Sequence, residues 1–160
     1  MRNALGLLLS LSVLAWAIAL GPRAVSAGAE DWNDAKIQWR SYEDGLAEAK
    51  NQGKPVCLIF YTTWCPHCAN YSRVFQDDRI VEQAKKLVMI RVDADKRRDL
   101  SDKYKPDGAY IPRTFFLSPS GELDLAIEAG RAQFKFFYDE HDAGHVLKAM
   151  QAASEKYARK

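Results

Sequence analysis

Two cysteines separated by two residues, Cys65-Pro66-His67-Cys68, follow directly on the apolar run Val56 to Tyr61 and open a segment with helical character. That spacing lets two thiols close a small disulfide with little rearrangement. At a helix start the first backbone N–H groups have no intrahelical partner and the helix dipole favours negative charge. A thiolate on Cys65 gains from both effects, and the thiolate is the form that attacks disulfides. The chemistry these residues point to is thiol–disulfide exchange. His67 adds a hydrogen-bond donor, or a cation, beside the thiol, and Pro66 suits a first helical turn because it lacks an N–H that would be orphaned there. The other readings are a zinc site and an inert structural pair. Zinc needs two more ligands at short spacing. The third cysteine is Cys57, and the remaining histidines, His141 and His145, lie far along the chain. The spacing of those two suits one face of a helix, but Glu140 and Asp142 are weak third ligands and Asp142 reads better as an N-cap. The site is therefore read without a metal and without a cofactor.

The elements that position the pair can be traced from pattern. Ile37-Gln38-Trp39 is a short strand candidate. Ser41 reads as an N-cap with Asp44 three residues on, and the helix it starts stops at Gly53. Val56 to Tyr61 and Leu87 to Val92 are continuous apolar runs of the kind buried on both faces of a sheet. Between them lie the helix that begins after Cys65 and a second, Arg79 to Lys86. Asp99 to Lys105 is helical or turn-like, and the charged stretch Asp93 to Asp102 that overlaps it reads as a solvated helix and loop. The strand Thr114 to Leu117 follows Ile111-Pro112, and a turn at Pro119-Ser120-Gly121 leads to Leu123–Ile127 as its hairpin partner. The aromatic run Phe134, Phe136, Phe137, Tyr138 is expected to pack under a terminal helix that buries Val146, Leu147, Met150 and Ala153. Strands alternating with helices predict an α/β fold, a central mixed sheet with helices on both faces and an antiparallel edge from the late hairpin. Cys57, inside a buried strand, reads as a small apolar residue.

Met1-Arg2-Asn3, the apolar run Ala4 to Leu20 and the small residues Val25-Ser26-Ala27 have the three-part form of a secretory signal peptide, residues 1–27. The alternative is an uncleaved anchor, since the run approaches the ~20 residues that span a bilayer. The remainder, 28–160, is one domain with its core at about 37–153. Residues 28–34 are expected to be a flexible start, and 156–160 a frayed end. Of the 23 basic residues, Arg2 and Arg23 fall in the leader, so the rest match the 21 acids. That neutrality gives no sign of a nucleic-acid or anionic-membrane partner. Export places the three cysteines in an oxidising compartment.

The strand followed by Trp64-Cys65-Pro66-His67-Cys68, with Ile111-Pro112 ahead of a further strand, resembles the thioredoxin fold. Trp39-Arg40-Ser41-Tyr42-Glu43-Asp44-Gly45, Pro106-Asp107-Gly108-Ala109-Tyr110-Ile111-Pro112-Arg113 and Phe116-Leu117-Ser118-Pro119-Ser120-Gly121 are similar to the small single-domain oxidoreductases of the endoplasmic reticulum related to the anterior gradient proteins. The Cys-Pro-His-Cys tetrapeptide resembles that of DsbA-type periplasmic oxidants, without their helical insertion. The resemblance implies Cys65 as the attacking and Cys68 as the resolving cysteine, with Pro112 a cis-proline facing the disulfide and Ile111 offering backbone groups to an extended substrate. Trp64 would then wall a substrate groove, or else cover core. Ile59 stands where thioredoxins carry a buried Asp, so no carboxylate is available there to take the proton of Cys68. The chain ends in Tyr157-Ala158-Arg159-Lys160, unlike an endoplasmic-reticulum retrieval signal, which makes a bacterial periplasm the expected location and the lumen or the exterior the alternatives. The expected function is disulfide exchange with cysteine-containing exported proteins, in the oxidising or isomerising direction, by a monomer served by a redox partner protein. A thioredoxin-like reductase and a client-binding module with secondary redox activity are the rivals.

Overall fold

The strand Val56–Tyr61 (β2) is buried along almost its whole length, which is possible only if both of its faces are covered. The computed structural model describes residues 31–158; the expected leader, 1–27, lies outside them. In chain order the other elements are β1 (Trp39–Arg40), α1 (Tyr42–Gln52), α2 (Pro66–Val74), α3 (Asp78–Ala84), β3 (Val88–Asp93), α4 (Arg98–Lys103), β4 (Arg113–Leu117) and α5 (Ala143–Lys156). The sheet runs β1-β3-β2-β4. β2 is parallel to β3, with Leu58 opposite Ile90, and antiparallel to β4, with Leu58 opposite Phe115. This is the thioredoxin fold, α/β with a mixed sheet.

Alternation along β2 divides the interior in two. Cys57 and Ile59 face Tyr71 and Phe75 of the α2 region, Ile80 of α3, and Val146 and Met150 of α5. Val56, Leu58 and Phe60 face Tyr42 and Ala49 of α1 and Leu100 of α4. Local signals set the helix ends. The Ser41 hydroxyl accepts the Asp44 N–H, and Gly53 ends α1 in the left-handed region at φ 64°. Gly45 lets α1 approach β3: a Cβ there would lie 2.4 Å from two side-chain carbons of Ile90.

Four expectations are corrected. Of the start expected to be flexible, 28–34, residues 28–30 lie outside the described residues and the rest is packed: Trp32 is 1% exposed, with its ring 5.4 Å from that of Tyr61 and 5.5 Å from that of Phe75. Asn33 Nδ2 donates to the Phe75 carbonyl at 2.8 Å. The first strand is displaced to Trp39–Arg40, because Lys36 and Ile37 donate their N–H groups to the Asn33 carbonyl in a turn. Leu123–Ile127 forms no hairpin strand, only a single bridge from Leu123 to Leu117. The Asp124 side chain accepts the Ala126 N–H and bends the segment, and the antiparallel neighbour in the sheet is β4 on β2. Farther along, Thr114 N–H donates to the Phe136 carbonyl, which covers the outer edge of β4. The C-terminal end is anchored rather than frayed at Lys156 and Tyr157, which donate to Asp124 Oδ2 at 2.6 and 3.0 Å.

The aromatic run splits. Phe136 packs on Phe115 and Tyr138 on Phe116, across opposite faces of β4, whereas Phe134 is 51% exposed. Among the described residues no helix is long and apolar enough to cross a membrane.

Two outcomes follow from this packing. Gly45→Ala is expected to destabilise the protein by about 1–2 kcal/mol, since overpacking a buried contact costs ~1–3 kcal/mol and exceeds most of the ~1 kcal/mol that alanine gains in a helix. Urea unfolding would measure it, and Ile90→Val in the same background should recover part of the loss. The second concerns Asp124. Burial alone would push its carboxyl up, but the Lys156 and Tyr157 donors, the Ala126 N–H and the Lys156 charge together hold it below the ordinary carboxylate range. Its contribution is fully present above the unfolded value of ~4 and is lost as the pH falls through the lower folded value. Asp124→Asn should therefore lower the melting temperature at pH 7, with the gap from wild type closing as the pH falls below about 4. A gap that is constant with pH would exclude the ionic contribution.

Candidate active site

Cys65 is the N-cap of α2, extended at φ −82° and ψ 117°, with Pro66 as the first helical residue. Its own N–H reaches the Thr62 carbonyl at 3.5 Å, and its carbonyl accepts the Ala69 N–H at 3.1 Å. The chain thus leaves β2, makes one turn through Thr62-Thr63-Trp64 and enters the helix with the thiol at its mouth. Cys65 is 4% exposed and Cys68, one turn in, is 0% exposed.

The Ile111–Pro112 peptide bond is cis. Cys65 Sγ lies 4.0 Å from the Ile111 carbonyl oxygen, so the loop before β4 and the start of α2 meet at the sulfur. Two interactions fix that meeting. Tyr71 and Thr114 share a hydroxyl–hydroxyl hydrogen bond of 2.9 Å, which ties α2 to the strand after Pro112. Arg113, fully buried, donates to the Tyr110 carbonyl at 2.9 Å and to Ser101 Oγ at 2.7 Å. Its guanidinium sits 5.1 Å from the Phe60 ring, and burial pushes its pKa down. Arg113 thereby clamps the residues on the N-terminal side of Pro112 to α4.

Trp64 is 68% exposed, so it is rim and not core. Its indole N–H donates to Asp95 Oδ2 at 2.7 Å. Pro66 and His67 are exposed, while Ile111 is half-buried and Pro112 buried. The structure therefore gathers Trp64, Cys65, Pro66, His67, Cys68, Ile111 and Pro112 around one thiol. His67 does not simply face solvent: Nδ1 is 2.8 Å from Glu140 Oε2. Ile59 is buried on the face of β2 that carries Cys57, in the same apolar cluster as Cys65 and Cys68. Burial pushes the Cys57 thiol far above its ordinary value, so it stays neutral and packs as an apolar group.

Arg113, Thr114 and Asp95 were given no role by pattern, and Glu140 was weighed only as a weak third metal ligand. Arg113 closes a recognised motif and Tyr71 lies on the Cys65 helix, but nothing in the sequence pairs Glu140 with His67, 73 positions away. His141 Nε2 approaches Glu140 Oε1 at 3.3 Å and His145 Nδ1 approaches Asp139 Oδ2 at 3.7 Å. Among the described residues no group of three or more His, Cys, Asp or Glu side chains is arranged to hold a metal ion.

Comparison with known proteins matches this geometry. A family model described as thioredoxin-like matches residues 38–119, about half of the chain. Anterior gradient protein 3 of Homo sapiens is 30% identical over 161 residues, covering 96% of this chain and 94% of that protein. Anterior gradient protein 2 homolog of Homo sapiens is 28% identical over 134 residues, covering 82% of this chain and 73% of that protein. Among solved structures, a thioredoxin from Thermus thermophilus superposes with a TM-score of 0.60 at 23% identity, covering 77% of this chain and 91% of that one. A DsbH oxidoreductase does so with a TM-score of 0.52 at 22% identity, covering 86% and 95%. With a CXXC pair at the mouth of α2, the Ile111 carbonyl close to its first sulfur and these relatives, the chain belongs to the thioredoxin-like family and is related within it to the anterior gradient proteins.

Proposed function

We propose that this protein is an exported thiol–disulfide oxidoreductase acting on cysteine-containing exported proteins. The observation that carries the reading is the position of Cys65: an N-cap thiol 4.0 Å from the carbonyl that precedes a cis-proline, with Cys68 enclosed one turn behind it. In the oxidising direction a substrate thiolate attacks Cys65 Sγ of the Cys65–Cys68 disulfide, and Cys68 leaves as a thiolate. A second substrate thiolate then attacks the substrate sulfur of the mixed disulfide, and Cys65 leaves. The substrate has lost two electrons and two protons and the protein holds two thiols. In the reducing direction the same steps run backwards, with Cys65 attacking and Cys68 resolving. The cysteines carry the electrons, so no cofactor is required, and a redox partner protein resets the pair.

Trp64, Pro66 and Ile111 surround the thiol and serve as the substrate-binding rim, with Ile111 lending backbone groups to an extended chain. Export rests on the leader at 1–27 and fits an oxidising compartment, a bacterial periplasm ahead of the endoplasmic-reticulum lumen or secretion; an uncleaved leader would leave the domain anchored to the membrane. The domain works as a monomer in this reading, with no nucleic acid involved. The oxidising direction is favoured by Ile59: burying an apolar side chain where a carboxylate would otherwise accept the Cys68 proton removes a device suited to reduction.

Nucleophile order gives the first test. Cys68→Ala should accumulate mixed disulfides between Cys65 and exported proteins, visible on non-reducing gels, and Cys65→Ala should accumulate none; a client-binding module would retain its clients with both cysteines replaced. Equilibration with glutathione gives the second. The expected potential is about −220 to −120 mV, above the ~−270 mV of thioredoxin. A value at the thioredoxin end would reverse the direction assigned here and make the protein a reductase.

A further inference from the structure

Glu140 sits in the turn before α5, yet its carboxylate is turned onto the residue between the two cysteines. Oε2 and Oε1 lie 2.8 and 3.0 Å from His67 Nδ1. Asn70, three residues after His67 on α2, donates to Oε1 at 3.3 Å. The carboxylate is only 12% exposed although the imidazole it holds is 61% exposed. The ring of Phe137 meets the imidazole edge-on, with centroids 5.8 Å apart, and Arg131 lies 5.0 Å over that phenyl ring. An exposed histidine would ordinarily sample several rotamers. This one is held on two sides by groups from a segment more than 60 residues away.

We infer that Glu140 is a positioning residue for the exchange chemistry: it fixes the imidazole through Nδ1 and balances its positive charge, which limits how strongly His67 can favour the Cys65 thiolate. The inference rests on the reading of Cys65 as the attacking thiol. An ionised carboxylate can only accept, so Nδ1 is the donor of this hydrogen bond. When the ring is a cation, the charge-assisted hydrogen bond to the carboxylate holds it at the rim and keeps it from turning toward the sulfur. The site thus lacks a buried carboxylate below the cysteines, where Ile59 lies, but has one at its rim.

The other charged groups around Glu140 do not duplicate this role. His141, from the same turn, approaches Oε1 at 3.3 Å. Arg73, Asp77 and Arg79 line the shallow depression that Glu140 borders, and Asp77 is paired with Arg79 at 2.6 Å. Asp139 faces His145 at 3.7 Å.

The test uses the full chain in reduced form, wild type, Glu140→Gln, His67→Ala and the double variant. Iodoacetamide alkylation of Cys65 is followed by peptide mass between pH 3 and 9, and the same proteins are equilibrated with glutathione. Glu140→Gln should move the midpoint of the alkylation profile down by about half a pH unit or more. It should also shift the glutathione equilibrium toward the reduced protein by up to about tenfold, equivalent to about 30 mV. Both effects should vanish in the His67→Ala background, since a double-mutant cycle isolates the pairwise contribution. Glu140→Asp, which keeps the charge, should stay near wild type. An unchanged or raised midpoint in Glu140→Gln overturns the inference, as does a shift that survives without His67, because the carboxylate would then act on the sulfur directly. A wild type that does not exchange with glutathione at all overturns the oxidoreductase reading, while the alkylation profiles still decide the role of Glu140.

Discussion

The burial of β2 on both faces is the constraint from which the rest of the structure follows. A strand with the sequence Val-Cys-Leu-Ile-Phe-Tyr and no exposed face needs a helical layer on each side and a hydrogen-bonded neighbour on each edge. The edges are filled by β3 and β4 and the faces by α2, α3 and α5 on one side and α1 and α4 on the other. Once that strand is fixed, its C-terminal end is fixed too, and the turn from Thr62 to Trp64 delivers Cys65 to a helix mouth whose direction is set by the core below it. The Cys65 thiol is therefore positioned chiefly by the apolar packing beneath it.

The same core explains why the second half of the site arrives in register. β4 pairs with β2 so that Arg113 lies opposite Phe60 and Thr114 opposite Ile59. That register sends the Arg113 side chain into the α1/α4 face, where it holds the Tyr110 carbonyl and Ser101, and sends Thr114 to the opposite face, where it meets Tyr71. A shift of one residue would exchange the two, burying the guanidinium among the aromatic rings around Tyr71 and leaving the threonine against Phe60. The pairing of β2 with β4 is thus also the device that brings the Ile111 carbonyl to the sulfur.

Much of this was legible in the sequence. The two central strands, Ser41 and Gly53 as the ends of α1 and Asp142 as the cap of α5 carry local signals that tertiary context did not override. The failures have a common cause. Trp32 and Asn33 precede any periodic pattern, and their burial depends on Tyr61, Phe75 and Arg91 from three separate elements. Leu123–Ile127 has strand-forming residues, but Asp124 binds its own backbone and two side chains of the C-terminal end in preference to a ladder. The role of Glu140 at His67 was invisible because a carboxylate before a helix cap looks like any other surface acid. What distinguishes it is a partner on another helix, and one sequence holds no record of that pairing.

Seen from the sulfur, polar and apolar groups divide by depth. Beneath Cys65 and Cys68 lie Ile59, Cys57 and the rings of Tyr71 and Phe75, all excluded from solvent. The nearby hydrogen bond of Tyr71 is a neutral one, to a threonine hydroxyl. On this side of the sheet the charges lie at the rim, where His67 meets Glu140 and Trp64 meets Asp95, while the buried Arg113 guanidinium lies across the sheet beside Phe60. A charge buried below the cysteines would act through a low dielectric and dominate their protonation, whereas a charge at the rim is screened by water and acts weakly. The apolar floor removes the strong influence and leaves the dipole of α2 together with a modest rim pair. Residues at the rim can change without disturbing the packing of β2, so the polar surroundings of Cys65 are separable from the stability of the fold that presents it.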